Sequence, residues 1–194
     1  MAIDNTHNKI VEVATKLFGR YGFYKTSMDE VARISRKAKG SLYYHFSSKE
    51  ALFTEVVSGE IQNLKRELAI IVTDPKLTAD QKIKSYLIRR MEVLDNAANY
   101  HETLKADFYE HFDFVDGLRK DLDEWEKQQI KTIIGQGIQE EIFDNQDVNI
   151  DVILDVFIMV LRGLEIPFYL QGKYNEYVPY FDDLLNILIK GMRK

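Results

Sequence analysis

The chain has no cysteine, three prolines and ten glycines in 194 residues. The missing cysteine excludes disulfides, thiolate nucleophiles and thiolate metal centres, and it suits a reducing compartment such as the cytoplasm. So few prolines (Pro75, Pro167, Pro179) leave long helices permitted almost everywhere. No run reaches the roughly 18 apolar residues of a membrane span. The most apolar stretch, Val148 to Leu170, is broken by Asp151 and Asp155. The N-terminus, Met1-Ala2-Ile3-Asp4-Asn5, lacks the basic-then-apolar pattern of a secretory signal. A soluble, cytoplasmic, all-α protein is expected, with no membrane partner. Also missing are a glycine-rich phosphate loop, a Gly-x-Ser-x-Gly elbow and a His-Glu-x-x-His pair, so catalysis would fall to carboxylates or histidines alone. No enzymatic activity and no cofactor are assigned.

What is present begins with charge. The net charge is −5, but residues 1–50 carry nine Lys/Arg against five acids, giving +4. The remaining residues hold 17 basic and 26 acidic side chains, giving −9. A basic head on an acidic body lets one end alone approach phosphate. A solvated surface can also fluctuate by a few charges, so the asymmetry needs a motif beside it.

The first segment supplies one. Ile10, Val13, Ala14, Leu17 and Phe18 fall at helical spacing, predicting a helix from about Thr6 to Tyr21 that Gly22 ends. Ser27, three residues before Glu30, starts a short second helix through Met28, Val31, Ala32 and Ile34. The chain turns at Ser35–Ala38, and a third helix runs from Lys39 to Phe46. Ser47 or Ser48 caps a fourth, from Lys49 to about Val72. Two short helices joined by a tight turn and packed on a longer one are the geometry of a helix-turn-helix.

Ile10-x3-Ala14-x2-Leu17-Phe18-x3-Gly22-Phe23-x2-Thr26-Ser27-Met28-x2-Val31-Ala32, followed by Lys39-Gly40-Ser41-Leu42-Tyr43-Tyr44-His45-Phe46-x2-Lys49-Glu50-x-Leu52, resembles the DNA-binding domain of the tetracycline-repressor (TetR) family. The resemblance covers about a quarter of the chain. It implies a helix-turn-helix DNA-binding domain over residues 1–48 and a helical ligand-binding and dimerisation domain over 49–194. It also implies a homodimer, a double-stranded DNA operator and release by a small-molecule inducer, with the chain acting as a repressor. A helical protein-interaction module, its basic head meeting an acidic partner without a specific DNA site, is the alternative.

By the same resemblance, base or groove contacts fall on Lys39, Gly40, Ser41 and Tyr43. Gly40 has no side chain to hold the helix off the bases, and Lys39 can donate to guanine O6 or N7 as a point charge. Tyr43, Tyr44 and His45 can donate to phosphates, while Leu42 and Phe46 face the three-helix core. Tyr43 and Tyr44 can equally pack half-buried, and His45 can serve as a capping residue. Ser27, and Lys49 with Ser48, sit at helix N-termini, where unpaired N–H groups meet phosphate. One departure stands out. Where the family carries Ala-Gly-Val-Ser across the turn, this chain has Ser35-Arg36-Lys37-Ala38. Arg36 replaces a glycine suited to a left-handed conformation, costing about 1 kcal/mol if that conformation is kept. Arg36 and Lys37 also add two cations beside the expected DNA surface.

In the body, Pro75 marks a break, and helical patterns run over about 78–98, 101–112, 116–140, 149–171 and 176–192. Phe143-Asp144-Asn145 is expected as a turn. The last two helices are the most apolar. The family resemblance places dimer contacts there, with Phe157, Leu161, Leu164, Leu184, Leu185 and Leu188 as candidates. Large amphipathic side chains in the middle helices suggest a ligand pocket at Tyr86, Phe108, Tyr109, Phe112, Trp125, Phe157 and Tyr169, although such residues are often plain core. His101, Glu110, His111 and Asp113 lack metal-ligand spacing, and no metal site is assigned. The runs Asp121-Asp123-Glu124-Glu126 and Glu140-Glu141 read as solvated faces.

Overall fold

Ile10, Val13, Ala14, Leu17 and Phe18 are all buried along one side of helix α1 (Ala2–Tyr21), so the periodic stripe is a core face. The computed structural model describes residues 2–105, 113–144 and 149–193, and among them it contains helices and a single isolated β-bridge, Phe143 with Arg193. The fold is all-α, with two compact units: Met1–Gln62 with Ala97–Asp116, and Asn63–Asn96 with Gly117–Lys194. The division falls inside the helices that span Lys49–Thr73 and Asp113–Gln139.

In the first unit, α1 stops at Gly22, whose φ of +83° is left-handed and whose N–H donates to Phe18 O at 2.8 Å. α2 (Met28–Ser35) starts where Ser27 Oγ accepts the Glu30 N–H at 3.2 Å. α3 (Lys39–His45) begins at Ala38, which offers no capping side chain. α4 (Lys49–Thr73) is capped by Ser48 rather than Ser47, its Oγ accepting from Ala51 N at 3.1 Å. The unit's centre is aromatic. Phe53 meets Phe18 and Phe23 edge-on, each at a centroid distance of 5.1 Å, and all three rings are buried. The short α6 (Ala98–Glu102) is held here by Glu60, whose carboxylate accepts from Tyr100 N at 2.7 Å and from Asn99 Nδ2 at 2.6 Å.

The second unit is built on α5 (Ala79–Asp95), α7 (Asp113–Gln139), α8 (Ile150–Glu165), α9 (Tyr174–Tyr177) and α10 (Phe181–Met192). Thr78 and Gln81 close a capping box on α5, and Asn149 Oδ1 accepts from Val152 N at the start of α8. The sequence pattern runs α8 on to about Gln171. The structure instead widens the helix into a π turn over Ile166–Leu170, because Pro167 has no N–H for the regular ladder. Phe143 packs on Gly137, where any Cβ would fall 2.1 Å from the ring. The next residue, Asp144, donates its N–H to Met192 O at 3.0 Å.

Candidate nucleic-acid interface

The Ser35–Ala38 turn sets the pose of α3. Arg36 adopts φ 56° and ψ 41°, its N–H donating to Arg33 O, while the Lys37 N–H donates to Ala32 O at 2.9 Å. These two bonds form a Schellman motif with a left-handed residue after the helix. The left-handed conformation that usually calls for glycine is therefore kept with arginine in it. Arg36→Gly is expected to stabilise the protein by about 0.5–1 kcal/mol, the relieved left-handed strain exceeding glycine's extra unfolded-state entropy. Urea denaturation of the two proteins measures this; equal or lower stability of the variant would contradict the strain.

Above this turn, α3 turns Leu42 into the core, and Phe46 following it is buried too. Its other side is open. Tyr44 is 78% exposed and Tyr43 43% exposed, so neither ring is core. Gly40 has open space around it, Ser41 is half-buried, and the half-buried His45 ring lies 5.9 Å from that of His7. Lys39 Nζ pairs with Asp29 at 2.7 Å, and that hydrogen bond raises its pKa, fixing its charge.

The cations divide into two sets. Arg36 projects from an exposed turn, whereas Lys37 Nζ reaches back to Thr6 Oγ1 at 3.1 Å. Lys49 Nζ donates to Phe23 O at 3.0 Å and sits 4.2 Å over the Phe23 ring. Lys37 and Lys49 thus tie the three-helix unit together. Sequence reasoning also passed over Glu102, whose carboxylate accepts from Phe23 N at 3.3 Å beside the tight turn at Gly22. No local pattern marks a contact between residues 79 apart.

The second unit holds the candidates for ligand and dimer contacts. An apolar cavity of about 460 Å³ is lined by residues of α5, α7, α8 and α10, and Phe157 is among them. Tyr86 is fully buried elsewhere, donating to Glu126 Oε1 at 3.3 Å, and burial beside that carboxylate raises its pKa. Tyr169 donates to Met91 O at 3.3 Å, and Lys65 lies over the half-buried Trp125 ring. Phe108, Tyr109 and Phe112 lie outside the described residues. So do Glu110 and His111. Leu161 and Leu185 are buried within the chain, Phe157 and Leu164 are half-buried, and Leu184 and Leu188 are exposed. Glu126, read from sequence as part of a solvated face, is fully buried, and half-buried Asp123 has its pKa raised by desolvation.

Residues 10–56 match the model of "Bacterial regulatory proteins, tetR family". The regulator QacR of Staphylococcus aureus is 43% identical over 56 residues, 29% of this chain and 30% of QacR. The chain spans about half or less of the length of the curated relatives it matches. A transcriptional regulator from Cytophaga hutchinsonii superimposes with a TM-score of 0.74 over 95% of this chain and 97% of its own, at 23% identity. SmeT, solved in complex with triclosan, superimposes at 0.71 over 98% of this chain and 92% of its own, at 14% identity. These two likenesses speak for the fold. The motif residues, the turn that presents α3 and the family match agree: residues 10–56 form a domain of the tetR family of bacterial regulatory proteins.

Proposed function

We propose that this protein is a DNA-binding transcriptional repressor that works as a homodimer and leaves a palindromic operator when a small molecule binds its second unit. One observation carries the reading. A seven-residue α3 offers Lys39, Gly40, Tyr43 and Tyr44 on its open side while Leu42 anchors it to the core. That is what a recognition helix needs to enter a major groove. SmeT's triclosan complex supports a ligand-binding body on this fold, and the apolar cavity of the second unit is of a size that takes small molecules. Ligand would act by favouring a conformation whose two heads no longer fit successive major grooves.

Selection from genomic fragments is expected to enrich one palindrome, bound tightly by the protein and no longer discriminated by a Tyr43→Ala variant. Recovery of no enriched site would leave the interaction-module reading standing instead. The two turn cations give a finer test. Arg36→Ala is expected to make the dependence of log affinity on log salt shallower by about 0.9 for each phosphate that the arginine neutralises. Lys37→Ala should change that slope less, since its ammonium is tied back to Thr6 of α1. A titration from low to moderate salt on the selected site reads both.

A further inference from the structure

The sequence pointed to aromatic side chains for a ligand, but the open volume in the second unit has a different chemistry. The 460 Å³ cavity is lined by Ile83 of α5, Ile134 of α7, Leu154 and Phe157 of α8, and Leu188 of α10, together with Phe143. That wall is pinned: Phe143 is seated on Gly137, and its backbone bridges to Arg193, which pairs with Asp80. Ile153 and Leu188, both about half exposed, also line the cavity. The charged residues at the lining give an anion nothing to hold. Lys131 is already bound by both oxygens of Asp151, at 2.8 and 3.0 Å, and the other is the acid Asp144.

We propose that this cavity binds an uncharged, lipophilic small molecule of largely aliphatic character, and discriminates against carboxylates of the same length. The proposal deepens the ligand-responsive reading above by naming the site and the ligand class. An apolar chain gains by leaving water, whereas an anionic head at the cavity would meet no unpaired cation among the described lining residues and would face Asp144. Gly135 lines the cavity with nothing within 4 Å of where a Cβ would stand. A larger side chain there can fill the volume without displacing a neighbour, and it replaces a helix-interior glycine, so the fold should not suffer.

The test uses the full chain, with decanol and decanoate as probes and binding read directly by calorimetry. Wild type is expected to bind decanol at least tenfold more tightly than decanoate at neutral pH. Gly135→Leu should lose decanol binding by tenfold or more while keeping wild-type helical content and wild-type operator affinity in the absence of probe. Equal decanol binding by Gly135→Leu would overturn the site, and preference for decanoate would overturn the ligand class. If neither probe binds wild type and Gly135→Leu breaks up the dimer, the cavity houses a partner's side chains and the proposal falls. Decanol binding that leaves the operator complex intact would uphold the cavity and refute ligand-driven release.

Discussion

Arg90→Leu is expected to destabilise the protein by about 3–5 kcal/mol, the usual cost of leaving buried charge uncompensated. Arg90 sits among the least exposed groups of the second unit, with Glu126 and Glu165 beside it at 0% and 1% exposure. Its Nε donates to both oxygens of Glu126, at 2.8 and 3.1 Å, and its Nη2 donates to Glu165 Oε1 at 2.9 Å. Arg119 donates to the other oxygen of Glu165 at 3.2 Å, and the Tyr86 hydroxyl donates to Glu126. Among the described residues, two guanidinium groups and two carboxylates thus form a charge-balanced buried network across α5, α7 and α8. Removing Arg90 leaves two carboxylates facing one remaining cation in a site closed to water. Leucine fills much of the stem volume, so the loss should come from charge more than from a cavity. Urea denaturation followed by circular dichroism measures it, and a loss under about 1 kcal/mol would show the network to be far less demanding than its burial implies. Replacing all four charged groups together with apolar residues of similar size should cost much less than the single change, because no orphan charge remains.

This network also marks the limit of what the sequence discloses. The head was legible because its signals are local: the Ile10–Phe18 stripe, Gly22 at a helix end, Ser27 three residues before Glu30, and the length of the motif around Leu42. Each is a short-range consequence of helix geometry, and the structure places Leu42 and Phe46 in the core accordingly. The turn at Ser35–Ala38 was legible only as a departure from the family pattern, and the structure shows arginine holding the left-handed conformation there. The body was read less well, for a physical reason. Glu126 lies among other acids, a pattern that ordinarily means solvent, and its burial is made tolerable by Arg90, 36 residues away in sequence, and by the Tyr86 hydroxyl. Glu165 stands near the end of the most apolar helix, where its partner lies 75 residues away. Aromatic residues drew the ligand reading because they are conspicuous. Tyr86 and Tyr169 instead spend their hydroxyls on Glu126 and Met91, while the open volume is walled mainly by isoleucine and leucine. Lys49 reads from sequence as a phosphate anchor, because sequence gives the charge and not the direction of the stem, and its Nζ donates to Phe23 O instead.

A Met159→Glu, Ile187→Glu double variant is expected to be monomeric and to bind its operator about 10²–10⁴-fold more weakly, while folding as wild type does. Each helix near the C-terminus carries a second apolar stripe besides its buried one. On α8, Val152, Val156, Met159 and Val160 recur at helical spacing and are all more than half exposed. On α10, Leu184, Ile187 and Leu188 also recur at helical spacing, at 45%, 69% and 46% exposure. Bare apolar surface of this extent on a folded chain is the mark of an interface, and two helices offering such stripes suit a four-helix arrangement with a second copy. The buried counterparts, Leu161 and Leu185, serve the chain's own core, so changes there would confound folding with assembly. Met159 and Ile187 avoid this, since substitutions at exposed positions usually move stability by no more than about 0.5 kcal/mol. Four carboxylates brought together across a two-fold interface would repel one another where apolar contact is needed. Each monomer would keep an intact head, but it could hold only one half-site, losing the gain from tethering two heads about 34–36 Å apart. Sedimentation velocity reads the assembly and a gel-shift titration reads the affinity. A double variant that still sedimented as a dimer would place the interface elsewhere, and a monomer with undiminished operator affinity would mean that one head suffices.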